Sequence, residues 1–216
     1  MMKYELKNPS FLTISDKTRN KIYYGPDQVW FTDKWRKKAG CGPTSAAFVT
    51  AYLAFTRPHL RPLYAPSEME REEFLHHMND VYEFVTPGLM GVNKVSIFTK
   101  GVNAFASSRN IHLISHKLDI ERVAFGQREP SKIIAEFVVN GLKSDCPISF
   151  LALSNGKESK LQNWHWITIT SAEIEDTEVL VHASDEGHEI VFDLQLWYKT
   201  TNLSGGLVYF TEALHS

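Results

Sequence analysis

At 216 residues with 43% hydrophobic content and a net charge of −2, the chain is large enough to bury its own core and too weakly basic to hold a nucleic-acid backbone, the run Lys34 to Lys38 being only local. Met1 to Ser10 mixes charged and polar groups without an apolar stretch, which suits neither a signal peptide nor a membrane span. Two cysteines, Cys41 and Cys146, lie far apart in unlike contexts, a poor disulfide framework, so a reducing cytoplasm is the expected compartment.

Lys21 to Tyr24 reads as a short strand, turned by Gly25-Pro26-Asp27 ahead of the apolar-aromatic stretch Gln28 to Phe31. Thr44 to Phe55 is almost wholly apolar or small, which predicts a helix buried on all sides and ending before Arg57-Pro58. Ser67-Glu68-Met69-Glu70 has the capping-box form, and Phe74, Leu75, Met78, Val81, Tyr82 and Val85 follow at helical spacing. Pro87, Gly88 and Gly91 break that helix, and Val95 to Ala106 carries a weaker helical pattern interrupted by Gly101. Ile111 to Leu118 alternates as a strand does, and Pro130 opens a helix through Val139 that Gly141 is expected to close. The runs Pro147 to Leu153, Trp164 to Ala172, Glu178 to Ala183, His188 to Phe192 and Leu207 to Thr211 then predict a meandering antiparallel sheet. Helices first and strands later, without βαβ alternation or internal repeats, indicate an α+β fold. The expected organisation is one domain over 1–216, a helical lobe at about 26–142 facing a β-rich lobe at about 143–216, with a cleft between them.

Chemistry concentrates at Gly40-Cys41-Gly42-Pro43-Thr44-Ser45, where a thiol meets the start of the apolar helix. Unpaired amides and the positive end of the helix dipole stabilise a thiolate there, and the same amides can receive a developing oxyanion. The flanking glycines read as clearance for a substrate. The bland alternative is a small buried hydrophobe, and Cys146, which precedes Pro147 and an apolar strand, is read that way.

A nucleophilic thiol needs a base that is distant in sequence and adjacent in space. Of nine histidines, His165 is favoured because Trp164 to Thr170 reads as a strand on which His165, Ile167 and Ile169 share a face; a packed core histidine is the alternative. His76, His77, His112 and His116 read as surface or packing groups. His182 and His188 flank the acidic turn Ser184-Asp185-Glu186-Gly187, but no tight ligand spacing argues for a metal, and no cofactor is expected. Asp185 is the candidate to orient the imidazole, with Ser184 and His182 as rivals because strand parity at the turn is open, and with a solvated hairpin as the alternative. Gln28, upstream of the thiol, is the natural side-chain amide for an oxyanion hole, or a donor to a loop carbonyl. The polar stretch Ser154 to Asn163 before His165 is expected to be a mobile lid.

These blocks, Gln28-Val29-Trp30-Phe31, the cysteine block before an alanine-rich helix, and Trp164-His165-Trp166-Ile167 followed by Ser184-Asp185-Glu186-Gly187, resemble papain-like cysteine peptidases. They resemble in particular the bacteriocin-leader-processing-like (double-glycine peptidase-like) branch and its bacterial relatives. The resemblance implies a papain-like fold, a Cys-His-Asp triad at Cys41, His165 and Asp185, an oxyanion donor at Gln28, and a peptide or amide as substrate. Phytochelatin-synthase-like transpeptidases share the cysteine block, so a γ-glutamyl or peptidyl transferase stands beside the hydrolase. A non-catalytic peptide-binding module with the same shell is the third reading.

Overall fold

The computed structural model describes residues 2–123, 128–176 and 178–213. In chain order the elements are β1 (Met2–Glu5), β2 (Thr13–Asp16), β3 (Lys21–Tyr24), α1 (Lys34–Ala39), α2 (Cys41–Thr56), α3 (Arg71–Tyr82), α4 (Val95–Ser107), β4 (Leu113–Ile120), α5 (Lys132–Lys143), β5 (Ile148–Ala152), β6 (His165–Glu175), β7 (Glu178–Asp185), β8 (His188–Asp193), α6 (Leu194–Thr200) and β9 (Gly205–Glu212). Short 3₁₀ turns occupy Pro9–Leu12, Gln28–Trp30 and Pro58–Leu63. The chain is therefore α+β, as its helix-then-strand order implies.

Residue chemistry explains the central elements. Helix α2 is apolar or small around its whole circumference, and Gly42 to Ala54 is buried throughout, as a helix without a polar face must be. It crosses β5 and β6 through one polar knot: the Ser45 Oγ lies 2.8 Å from Ser149 Oγ and 2.8 Å from Thr168 Oγ1. Three buried hydroxyls that satisfy one another fix the helix on the sheet at one register, because a shift would leave each of them desolvated without a partner.

The larger sheet runs β4-β9-β5-β6-β7-β8, and β1 pairs with β6 where β5 has ended, so it has seven strands among the described residues, each pairing antiparallel. It departs from the expected meander, because β9 inserts between β4 and β5 and only β5 to β8 follow chain order. β4 joins the sheet although it falls in the stretch read as helical, since its alternating face needs a partner and β9 supplies one over its full length. β1 is absent from the sequence reading: charged residues alternate there because an edge strand leaves one face wet.

Other boundaries differ for identifiable reasons. Helix α3 begins at Arg71, with the Glu70 carboxylate accepting from the Glu72 amide at 2.8 Å, so the Ser67 capping box is not the start. Helix α5 runs past Gly141 to Lys143; that glycine lets the helix approach Ile148, where a Cβ would come within 2.8 Å. Gln28 to Trp30 forms a 3₁₀ turn capped by Asp27, and the basic run Lys34 to Lys38 lies in α1, capped by Asp33. No helix among the described residues is long and apolar enough to cross a membrane.

Candidate active site

Three elements converge at one end of the sheet. Cys41 is the first residue of α2, His165 the first of β6 and Asp185 the last of β7; because β6 and β7 run antiparallel, the latter two lie at the same edge. The two-residue turn Glu186-Gly187, with φ of 47° and 77°, is the left-handed pair that closes a tight hairpin between Asp185 and His188. That turn holds Asp185 at the strand end, and the pairing of β6 with β7, Thr168 opposite Ser184, sets the parity. The His165 Nε2 donates to Asp185 Oδ1 at 2.6 Å, both side chains being 9% exposed. The rivals are engaged elsewhere: Ser184 donates to the Tyr24 carbonyl at 2.9 Å, and His182 Nδ1 lies 2.9 Å from Glu189 Oε1.

With Nε2 committed to the carboxylate, Nδ1 is left for the Cys41 sulfur, which is also a hydrogen-bond partner of the ring. Burial pulls the imidazole towards its neutral form, but the hydrogen bonds to Asp185 and Cys41 and their charges outweigh it and push the pKa up to about 10. Trp164, just before it, holds φ at 58°, a left-handed conformation that costs a bulky residue about 1–3 kcal/mol. The next residue, Trp166, stacks on Phe98 at 4.2 Å and donates to the Val92 carbonyl at 2.5 Å, so the strand start is held from the α4 side.

Gln28 reaches the same place through the turn that carries it. Gly25 sits at φ 74°, and a Cβ there would strike the Ser184 hydroxyl at 2.0 Å, so the loop packs directly on β7. Gly187 donates to the Pro26 carbonyl and Tyr24 to the Gly187 carbonyl, joining the loop to the Asp185 hairpin. The Gln28 amide donates from Nε2 to the Lys37 carbonyl at 3.0 Å, the bond expected of a loop-fixing glutamine. That bond uses one of its two N–H groups, and Gln28 lines a narrow cavity of about 20 Å³ together with Cys41, Thr44, His165 and Asp185. Gln28 Oε1 and Thr44 Oγ1 are buried without a partner among the described residues. The α2 start has no side-chain cap, so its first amides are also unclaimed by a side chain.

Two expectations change. Gly40 and Gly42 are not open clearance: a Cβ on Gly40 would meet the Arg36 carbonyl at 2.2 Å and one on Gly42 the Val92 side chain at 2.9 Å, so both permit close packing around the thiol. Ser154 to Asn163 is not a free lid, because its ends and middle are tied down. Asn155 N donates to Asn163 Oδ1, Lys157 N to Thr200 Oγ1, the Trp197 indole to the Ser154 carbonyl, and the buried Glu158 accepts from Asp193 N.

Ser45, Thr44 and Trp166 were legible only as flanks of the motifs, since a hydroxyl or indole in sequence carries no sign of which strand it will meet. Cys146 is buried and its thiol is pushed up to about 11 by burial, the state of a packed cysteine. Among the described residues no group of three or more His, Cys, Asp or Glu is arranged to hold a metal ion.

A cysteine on a buried helix facing an antiparallel sheet is the papain-like arrangement, and the fold belongs to that class. The structure is similar to the crystal structure of UfSP from C. elegans, with a TM-score of 0.50 and 8% sequence identity over 98% of this chain. The chain spans 34% of that protein's chain, and at this identity the likeness shows the fold alone. No protein-family model and no curated protein matches the sequence, so the leader-processing branch rests on the motif resemblance.

Proposed function

We propose that the chain is a cysteine hydrolase of peptide or amide bonds, with Cys41 as nucleophile, His165 as base and acid, Asp185 as the group that orients the imidazole, and Gln28 as oxyanion donor. The observation that carries this reading is a buried imidazole held between a carboxylate at 2.6 Å and a thiol at a helix start. Packing alone gives no reason for that arrangement, and a binding module has no use for it.

In this scheme the His165 imidazolium and the Cys41 thiolate share one proton in the resting site. Sulfur attacks the carbonyl carbon, and the oxyanion is received by the Cys41 backbone N–H and the free N–H of Gln28. His165 passes its proton to the leaving nitrogen as the C–N bond breaks, giving a thioester and a free amine. It then takes a proton from water, the resulting hydroxide attacks the thioester, and the acid leaves as the thiol is regenerated. Asp185 keeps the proton on Nε2 throughout, so that Nδ1 faces the reaction. An amine in place of that water gives the transferase, and comparing products with and without added amine separates the two.

The test is the pH dependence of Cys41 alkylation by iodoacetamide, read by mass spectrometry with buried Cys146 as the internal reference. A rate that stays high well below the ordinary thiol pKa of about 8.5, and that His165→Ala abolishes, supports the reading. Reaction only above pH 8, indifferent to His165, overturns it.

A further inference from the structure

The edges of the larger sheet are of unlike kinds. Strand β1 is only four residues long and carries the charged Lys3 and Glu5. Strand β8 is tied to the loop that precedes β6, where Lys160 Nζ donates to the Val191 carbonyl at 2.5 Å and Glu158 Oε2 accepts from Asp193 N at 3.0 Å. Short strands, charges and covering side chains are the usual protections of a sheet edge. Strand β4 has none of the backbone protections: it runs eight residues in unbroken register with β9, without a bulge, proline or glycine, and Ile114 on it is 47% exposed.

Its outer row of backbone groups is open. In the register that β4 keeps with β9, the His112 carbonyl accepts from the Ala213 amide, so Ile114, His116, Leu118 and Ile120 also turn their backbone groups towards β9. The amides and carbonyls of Leu113, Ser115, Lys117 and Asp119 point the other way, and they have no hydrogen-bond partner among the described residues. Charge decides what fits that row. Lys117 and Asp119 share one face of the strand, 3.8 Å apart, with side chains 52% and 55% exposed. Turned antiparallel about a twofold axis at Leu118, the strand is its own complement: each Lys117 faces the Asp119 of the other copy, and the outward backbone groups of the two residues meet. An axis at Lys117 would set lysine against lysine, and one at His116 would set Asp119 against Leu113.

We propose that β4 pairs antiparallel with β4 of a second copy of this chain, about a twofold axis at Leu118, joining the two sheets into one. Backbone hydrogen bonds supply the attraction and the Lys117–Asp119 pairs set the register. On the axis, Leu118 meets its counterpart in a pair that exchanges no backbone hydrogen bonds, the kind in which side chains come closest. The pairing does not depend on whether Cys41 reacts.

Sedimentation velocity over a dilution series of the full chain should show a concentration-dependent dimer. Lys117→Asp and Asp119→Lys should each weaken it by about tenfold, because either change turns two opposite-charge pairs into like-charge pairs. An equimolar mixture of the two variants should restore it. In a Cys41→Ser background, Leu118→Cys should cross-link to a dimer under copper–phenanthroline oxidation, since residues opposite each other on the axis lie about 4.5 Å apart at Cα, within disulfide reach. His116→Cys and Lys117→Cys, displaced along the strand from their counterparts, should stay monomeric on a non-reducing gel. A wild-type chain that is monomeric at every concentration leaves the edge to some other strand and overturns the proposal. A dimer indifferent to both charge variants, or one cross-linked better through His116→Cys or Lys117→Cys than through Leu118→Cys, overturns it as well.

Discussion

Helix α2 has a buried histidine at each of two places along its length, and the two hold their protons in opposite ways. His77, 3% exposed, lies against the helix middle, with Nε2 3.0 Å from Thr50 Oγ1 and 3.2 Å from the Ala47 carbonyl, and with Tyr64, Phe74 and Phe105 around the ring. Burial, helped by the positive charge of Arg109 and opposed only by the Ala47 carbonyl, takes its pKa down to about 3. His165, 7% exposed at the helix start, is pushed the other way, to about 10. Equal burial with opposite outcomes shows that the partner decides: neutral hydroxyl and carbonyl groups leave desolvation in command, whereas a carboxylate and a thiol override it. One histidine is thereby a core group, and the other is the base of the proposed reaction.

The comparison is broken most severely at its core member. His77→Ala should cost about 2–5 kcal/mol by opening a cavity among three aromatic rings, seen as a lower urea midpoint, while Cys41 in the folded fraction alkylates as before. A variant that lost thiol reactivity without losing stability would show that the two histidines are not separate in role. At the other end, Asp185→Asn keeps the hydrogen-bonding shape and removes the charge, so His165 should hold its proton less tightly. The Cys41 alkylation profile should then move up by at least one pH unit, about tenfold in rate at pH 6. An unmoved profile would leave the carboxylate without an orienting role.

The pH dependence of stability has two limbs with different owners. His77 is neutral in the folded protein and protonates in the unfolded chain below about 6.5, so its contribution is lost as pH falls from there towards about 3. His165 binds its proton more tightly when folded, so its contribution is complete below about 6.5 and is lost as pH rises towards about 10. Urea midpoints measured across pH should show a shallower acid limb for His77→Phe and a shallower alkaline limb for His165→Ala, and swapped assignments would contradict the partner argument.

Much of this was legible in residue order. The apolar circumference of α2, the helical spacing of Phe74 to Val85 and the β-rich runs after Pro147 all follow from local periodicity, which a chain carries wherever it folds. Cys41 and His165 stood out because a thiol between glycines before an apolar helix, and an imidazole opening a strand between tryptophans, are unusual locally. Asp185 is separable from Ser184 and His182 only through the register between β6 and β7, which a single strand does not carry. The polarity of Ser154 to Asn163 reads as mobility in sequence because its hydrogen-bond partners on α6, Trp197 and Thr200, are distant in the chain.

What the sequence by itself determined was the kind of element most segments form and which side chains are the candidates for reactive chemistry, since periodicity, capping and functional groups are properties of neighbours along the chain. Which histidine gains a carboxylate and where β9 and β1 enter the sheet were decided by tertiary structure alone. Those outcomes depend on groups that are far apart in the chain and meet only after the helices and sheet have packed.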